Sequence, residues 1–497
     1  MQETYHRTLN SAGRQPVLRN KIGRMRPVLP LLAALALPGC ALPGLLGGTA
    51  AEPEAEVAIP TDWAESEVAP VELDIAQYWQ RLDDPLVTEL VEQAIAENRE
   101  IAQALARVDQ ARAGLRASRA GWFPTVSAGG SAGRNFGNGA SDRVITSVGA
   151  DVAWELDLFG QISSDVAASH ADLAAAGYSL ADLQRLIVGQ VALATISARA
   201  TAQQLDIARD TLGYQDENLR IADWRNQAGL VSTLDVEQAR TQRAQTAATI
   251  PALESNLATT ANSISTLIGE PPGRVLEALL MPPPLPVPVA AQLDGYEAPP
   301  AILARRPDVR AAEASLLSAA AQVGVARAQL LPLVRLTGSV DTSSVGLDDL
   351  FDVITGNIFA SVSQLLFDGG RTQAQVDIAE AGARSAQAAW EQAILSALEE
   401  VESAAVDQRA ANERVVLNEA AVEAASNSAL LARSQYQAGL TDFQTLLNIE
   451  SQLLSARNAL VAAEADRASA FVRLTQALGG GWTEPTSESP LTDGPEA

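Results

Sequence analysis

The chain has 497 residues, 47% of them hydrophobic but only 4% aromatic, and a formal net charge of −25 at neutral pH. Residues 1–39 hold six Lys or Arg and one Glu, so the rest of the chain carries −30, which excludes a nucleic-acid partner because phosphates bind to basic faces. Cys40 is the single cysteine, and His6 and His170 are the only histidines. These are too few for a disulfide, a zinc site or a Ser-His-Asp triad, so we expect no catalytic residue, no metal and no cofactor.

The first 40 residues have the pattern of an export signal that ends at a cysteine. Basic residues up to Arg26 precede an apolar stretch over residues 28–37, which is too short to remain as a membrane-spanning helix. Leu37-Pro38-Gly39-Cys40 resembles the bacterial lipobox, although Pro38 replaces the usual small residue. We predict that Cys40 is acylated and becomes the mature N-terminus. The alternative is an unmodified cysteine after an ordinary signal peptide.

The rest of the chain contains one unit twice. Matching segments lie 208 residues apart early in the unit and 210 apart later: Trp122-Phe123-Pro124 with Leu330-Leu331-Pro332, Leu158-Phe159-Gly160 with Leu366-Phe367-Asp368, Ala228-Gly229-Leu230 with Ala438-Gly439-Leu440, and Ile268-Gly269 with Leu478-Gly479. The sequence therefore predicts a duplication with a two-residue insertion. Each copy is expected to contain a helix, a pair of strands, a very long helix, a tight turn and a returning helix.

The positions of the prolines predict the long helices. No proline interrupts residues 125–250 or 333–484, and within them 161–227 and 371–437 form two stretches of 67 residues. Each would be a helix about 100 Å long, which needs partners along its length. Pro251 and the prolines that follow it are expected to mark irregular structure.

A coiled-coil seam is predicted in the second long helix. Four apolar residues follow spacings of 4, 3 and 4: Ile394, Leu398, Val401 and Ala405. A structural coiled coil without a conduit explains this pattern equally well, but it does not explain the strands.

The strand segments alternate with period two. In the first copy the even positions from Val144 to Leu158 are mostly apolar, whereas Ser147, Asp151, Glu155 and Asp157 occupy odd positions. In the second copy Val334, Leu336 and Val340 alternate with Arg335, Thr337, Ser339 and Asp341, and Ile354, Ile358, Ala360 and Val362 share one face. The pattern favours a transmembrane β-barrel, with a soluble hairpin as the rival. Because four strands cannot close and open edges cannot face lipid, several chains must share one barrel.

This arrangement resembles the TolC-like outer-membrane factors of tripartite efflux systems, in particular the NodT-type lipoprotein branch that serves resistance-nodulation-division pumps. The motifs that carry the resemblance are Tyr78-Trp79-Gln80-Arg81-Leu82-Asp83-Asp84-Pro85-Leu86, Asp157-Leu158-Phe159-Gly160, Leu303-Ala304-Arg305-Arg306-Pro307-Asp308-Val309 and Ala477-Leu478-Gly479-Gly480-Gly481-Trp482. The resemblance implies a mainly α fold with a β portion: a homotrimer with a 12-stranded outer-membrane β-barrel that continues into a 12-helix periplasmic α-barrel. Ala41 is compatible with a location in the outer membrane, because lipoproteins kept at the inner membrane generally have Asp there.

The expected domain boundaries follow the repeat. They are a signal peptide at 1–39, a lipidated tether and belt segment at 40–85, a first repeat at 86–270 (strands about 124–158, helices 161–227 and 230–268), a Pro-rich equatorial linker at 271–300, a second repeat at 301–479 (strands about 332–367, helices 371–437 and 440–478) and a tail at 480–497.

The resemblance also assigns the turns after the long helices. It implies that they contact a periplasmic adaptor (a membrane fusion protein), through Gly229, Leu230, Val231, Ser232, Gly439, Leu440, Thr441 and Asp442. Counted from Gly439, the family's closed entrance corresponds to Gln444, Thr445 and Asn448, with Asp442 nearby and Tyr436 bracing the turn. Several relatives have carboxylates at the last two of these positions, where this chain has Thr445 and Asn448, so a carboxylate ring is not expected there, although Asp442 could supply one nearby.

The function implied is an exit duct in the outer membrane. It would passively conduct small molecules such as drugs from a proton-driven inner-membrane pump to the exterior. A duct for type I protein secretion and a lipid-anchored structural coiled coil are the alternatives.

Overall fold

The computed structural model describes residues 57–63, 75–136, 143–281, 286–288, 295, 297–345 and 350–482. In chain order the elements are a 3₁₀-helix at Tyr78–Leu82, then α1 Pro85–Glu97, α2 Arg99–Ala120, β1 Thr125–Asn135, β2 Arg143–Leu156, α3 Gln161–Gln227, α4 Thr233–Leu267, α5 Arg274–Leu279, α6 Pro299–Arg305, α7 Pro307–Ala328, β3 Leu333–Val345, β4 Ile354–Ser363, α8 Arg371–Gln437 and α9 Phe443–Ala477. No described helix is long and apolar enough to cross a membrane.

Three details differ from the simple repeat expected from the sequence. The first helix of each copy is divided in two, at Asn98 between α1 and α2 and at Arg306 between α6 and α7. The Pro-rich linker contains the short helix α5. Pro251 was expected to mark irregular structure, which is wrong, because it lies inside α4. Its exposed position allows the backbone carbonyl that proline leaves without a donor to face water.

The four strands form one antiparallel sheet in the order β1-β2-β3-β4. The central pairing, β2 with β3, joins the two copies of the repeat, with Ala150 opposite Val340 and Trp154 opposite Leu336. Within the described residues, β1 and β4 pair on one side only, so each leaves an open edge.

The register places apolar residues on one face of the sheet and polar residues on the other. Residues of the apolar face include Val126, Val148, Val152, Trp154, Leu336, Val340, Ile354, Ile358 and Val362. Residues of the polar face include Ser127, Ser131, Ser147, Asp151, Ser339, Asp341, Thr355 and Asn357. Hydrogen bonds across strands hold the polar side chains, as between Ser131 and Ser147 at 2.8 Å. The alternation is that of a barrel wall with an apolar exterior and a polar interior.

Both long helices begin after a capping aspartate and a glycine with positive φ. Gly160 (φ 78°) and Gly370 (φ 87°) occupy the N-cap positions. Asp368 accepts hydrogen bonds from Thr372, and these bonds lower the pKa of its carboxyl. Burial opposes ionisation of Asp157, but hydrogen bonds from Ser163 and the backbone outweigh it and lower the pKa of that carboxyl as well. Because only Gly160 separates Phe159 from α3 but three residues separate Phe367 from α8, the two-residue insertion lies in this turn.

In both copies the returning helix ends beside the break in the first helix, that is, beside Asn98 or Arg306. The Asn98 amide donates to the carbonyl oxygen of Leu267 at 2.7 Å. The Arg306 guanidinium donates to the carbonyl oxygen of Ala477 at 2.8 Å, and Ala477 is the residue that matches Leu267, 210 positions later. Each bond satisfies a carbonyl left free at a helix end. Arg306 also pairs with Asp308 at 2.6 Å and with Glu400 at 2.7 Å.

The largest core lies where the 3₁₀-helix, α1, α3, α4 and α9 meet. Tyr78, Leu82, Leu90, Ile196 and Phe471 are fully buried there. Arg199 and Asp84 form a buried ion pair at 3.1 Å, and the same carboxylate caps α1.

Alanine occupies many of the buried positions along the long helices. In α8 the buried residues repeat with spacings of 3 and 4: Ile394, Ala397, Val401, Ala404, Gln408, Ala411 and Val415. The predicted seam is therefore correct at Ile394 and Val401, but Leu398 and Ala405 lie beside it and are half-buried. Alanines at these positions allow the close approach of helices that leucines would prevent.

Candidate functional site

The two turns at the ends of the long helices have the same backbone. In the first, Leu230 N–H donates to the Arg225 carbonyl at 2.8 Å and Gly229 N–H donates to that of Asn226 at 2.9 Å. In the second, Leu440 donates to Gln435 at 2.9 Å and Gly439 to Tyr436 at 3.0 Å. Both pairs of bonds are those of a Schellman motif, which requires a left-handed residue, and φ is 72° at Gly229 and 73° at Gly439.

The returning helices begin directly after these turns, at Thr233 and Phe443, with different caps. Ser232 and Asp235 cap α4 reciprocally, as a capping box. Asp442 alone caps α9, accepting from Thr445 N–H at 2.7 Å and from the Thr445 hydroxyl at 3.1 Å. These hydrogen bonds lower the pKa of the Asp442 carboxyl, so it stays ionised at neutral pH. Val231 and Thr441 are half-buried within the turns.

Tyr436 is buried in a small core that joins all four helices near the tips. The centroid of its ring lies 5.4 Å from that of the Phe443 ring and 4.5 Å from the Arg225 guanidinium. The same guanidinium donates to the Tyr436 and Gln437 carbonyls, each at 3.2 Å. The arrangement holds α3 to the end of α8, and the bracing role of Tyr436 stays a prediction.

Gln444 and Asn448 lie one turn apart on the exposed face of α9. The Gln444 amide donates to the Asn448 side-chain oxygen at 2.9 Å, and Thr445 between them is half-buried. The structure thus brings three of the predicted entrance residues together with Asp442 at one end of α9, whereas Tyr436 lies behind them in the core.

Sequence reasoning missed Glu450, about two turns after the start of α9. Its carboxylate is buried and accepts from Asn218 of α3 at 2.7 Å and from Arg433 of α8 at 3.0 Å, while Arg433 also stacks on Tyr214. The detectable signal was a charged residue at a position of the apolar period of α9, between Leu446 and Leu453. Glu450 therefore links three helices just above the tips.

Cys40 lies outside the described residues. Among the residues that are described, no group of three or more His, Cys, Asp or Glu could hold a metal ion.

Comparison with known proteins connects this geometry to a family. A family model for the outer membrane efflux protein matches residues 90–270 and 298–480, one segment for each copy of the repeat. Nodulation protein T of Rhizobium leguminosarum bv. trifolii is 29% identical over 460 residues, which are 90% of this chain and 96% of that protein. Cation efflux system protein CusC of Escherichia coli strain K12 is 28% identical over 408 residues, 80% of this chain and 87% of that protein.

A solved structure, that of the outer-membrane channel OprN, is 31% identical and has a TM-score of 0.80, with 88% of this chain and 99% of that chain covered. The family segments span most of the chain and contain both long helices, all four strands and both tips. The chain therefore belongs to the outer membrane efflux protein family and is the exit duct of a tripartite efflux system in the outer membrane.

Proposed function

We propose that three copies of this chain close a 12-stranded barrel, with β4 of each copy paired to β1 of the next. The observation that carries the proposal is the four-stranded sheet with two open edges, apolar on one face and polar on the other. An edge that faces lipid leaves backbone groups without partners, which costs several kcal/mol per group. Twelve strands enclose a water-filled lumen, whereas four enclose nothing.

The helices support the same boundary between copies. Near the sheet the packed order is α2, α3, α7, α8, and towards the tips it is α4, α3, α9, α8, so α8 lies at the border of the chain along its whole length. Large apolar side chains are exposed on α8: Ile378, Leu395, Val406, Val416, Leu417, Leu430 and Leu431. All seven lie on the face of α8 opposite the face that holds its buried residues. This second apolar stripe can pack against a neighbouring helix. That helix is α2 or α4 of the next copy, on which Leu105 and Leu234 are exposed.

In this assembly the duct extends from the outer membrane into the periplasm. The polar face of the sheet lines the lumen, and acylated Cys40 anchors each copy in the outer membrane. The tips at Gly229–Ser232 and Gly439–Asp442 contact a periplasmic adaptor, which connects the duct to a proton-driven resistance-nodulation-division pump. The cargo is a small molecule, moved passively, and Gln444, Thr445 and Asn448 narrow the entrance.

The test is the mass and the conductance of the purified protein in detergent. Trimers that form channels in planar bilayers support the proposal, and a monomer that conducts ions contradicts it. Mass spectrometry of the mature N-terminus tests the anchor separately. A peptide that spans Gly39 and Cys40 without modification would show that the lipid assignment is wrong while leaving the trimer intact.

A further inference from the structure

The two tips share one backbone but differ in their exposed side chains. In a Schellman motif the residue after the glycine lies near the side chains of the last helical turn, three and four positions from the helix end. In the first tip these residues are Leu230 and Trp224, exposed at 72% and 60%. In the second tip the matching residues, 210 positions later, are Leu440 and Ser434. Only the first tip thus presents an aromatic ring beside its exposed leucine.

Trp224 is unusual among the seven tryptophans of the chain. Trp63, Trp79 and Trp390 are buried, Trp154 and Trp482 are half-buried, and Trp122 is exposed beside the sheet. Trp224 is more exposed than any of them, although it lies near the end of α3, about 100 Å of helix away from the sheet. That distance excludes the lipid of the outer membrane as the environment that covers the indole.

A neighbouring copy does not cover it either, because α3 is an inner helix of its own chain. It packs against α4 on one side and α9 on the other, and Arg225 extends to the end of α8. The border helices near the tips are α4 and α8, so a second copy meets those helices first. Trp224 points away from the core that joins the tips, on the same face as the exposed ion pair of Glu217 with Arg220.

We propose that Trp224 and Leu230 form the principal anchor for the adaptor, and that the tip of α8 and α9 contributes less to docking. The inference rests on the proposed docking of an adaptor at the tips and adds which tip carries the affinity. The partner surface is one with an apolar pocket that accepts an indole. Tryptophan is the residue type most often found at such anchors, because it buries a large area at a low cost in side-chain entropy.

The test compares Trp224→Ser, which makes the first tip resemble the second, with Leu440→Ser in the other tip. Both side chains are exposed, so both variants should assemble normally. We expect Trp224→Ser to weaken association with the adaptor about 30-fold and to reduce export, Leu440→Ser to have an effect of less than about fivefold, and Trp224→Phe to restore most of the export. Equal effects of the two serine variants, or normal export by Trp224→Ser, would overturn the inference.

A photo-crosslinking amino acid at position 224, in cells that carry two differently tagged versions of the chain, identifies the occupant. Crosslinks to a periplasmic adaptor support the proposal, and crosslinks between the two tags show that a second copy covers the indole and overturn it. Deletion of the whole chain is the separate control for the proposed function. If deletion leaves export unchanged, the proposed function fails; if deletion abolishes export but Trp224→Ser does not, only the inference fails.

Discussion

The helices α3 and α8 occupy the same place in the two copies and have the same length of 67 residues, but their surfaces differ. Twenty residues of α3 are buried in the single chain, against 13 of α8. Seven large apolar side chains are exposed on α8 and three on α3. Because α3 has partners on both sides within its own chain and α8 has partners on one, the copies have diverged according to their place in the wall rather than their place in the repeat.

The largest expected effect comes from placing charged residues in the exposed apolar stripe of α8. Leu417→Glu combined with Leu430→Glu places two carboxylates per copy in a contact that buries apolar surface, and each is costly to desolvate. We expect trimers to be lost, as measured by native mass spectrometry in detergent. Leu186→Glu on α3 is the matched control and should leave trimers intact. Assembly of the α8 variant into normal trimers would place the boundary between copies elsewhere.

The breaks at Asn98, between α1 and α2, and at Arg306, between α6 and α7, allow a second comparison of the copies. Arg306→Met removes a buried guanidinium that serves Asp308, Glu400 and a helix end, and we expect a loss of about 3 kcal/mol of local stability. This is the lower end of the usual range, because Glu400 stays half-exposed. Asn98→Ala should cost about 1–2 kcal/mol. Hydrogen exchange at the ends of α4 and α9 measures both losses, and a larger effect at Asn98 would contradict this ranking.

At the entrance, the two returning helices should respond differently to the loss of amides. Gln444→Ala with Asn448→Ala removes a hydrogen-bonded pair from α9, and we expect a few-fold increase in single-channel conductance because the proposed polar narrowing is removed. Gln238→Ala, at the position of α4 that matches Asn448, is the control and should conduct like the parent. Unchanged conductance in the α9 variant would shift attention to Asp442.

The smallest expected effect is a loss of local stability in acid at the break at Arg306 but not at the break at Asn98. Burial opposes ionisation of Asp308, but Arg306 outweighs it and lowers the pKa of the carboxyl below its ordinary value. Its contribution to stability is therefore complete above about pH 4 and declines as pH falls towards the lowered folded pKa. At the matching break the uncharged amide of Asn98 takes the place of the Arg306 guanidinium. Hydrogen exchange near pH 3 should accelerate at the start of α7 more than at the start of α2, and equal acceleration would show that Asp308 adds nothing.

The sequence predicted the features that depend on local patterns. Long stretches without proline predicted α3 and α8, and alternation with period two predicted which face of β2, β3 and β4 is apolar. The break at Arg306 was not predicted, although Pro307 follows it, because the helical pattern continues on both sides. Pro251 was assigned to irregular structure because propensity alone does not show that tertiary packing keeps α4 continuous.

The candidate site was less accessible to sequence reasoning. The glycines of the turns were apparent, since a helix end needs a residue that tolerates positive φ. The hydrogen bonds of Glu450 with Asn218 and Arg433 were not apparent, because these residues lie 232 and 17 positions from Glu450 and meet it only when three helices pack. The two tips differ in sequence at Trp224 and Ser434, but only the structure shows that Trp224 is exposed.

The pairing of β2 with β3 has a consequence for how the protein folds. Ala150 of β2 pairs with Val340 of β3, which lies 190 residues later. The centre of the sheet therefore cannot form until most of the chain has arrived in the periplasm. Until then the β1–β2 hairpin has open edges and an apolar face, which is a surface that aggregates. Closure of the loop between β2 and β3 is slow, because the chain loses entropy before the first hydrogen bonds between these strands form. A periplasmic holding chaperone that protects the hairpin during this interval should therefore determine how much of the chain matures, independently of the stability of the finished duct.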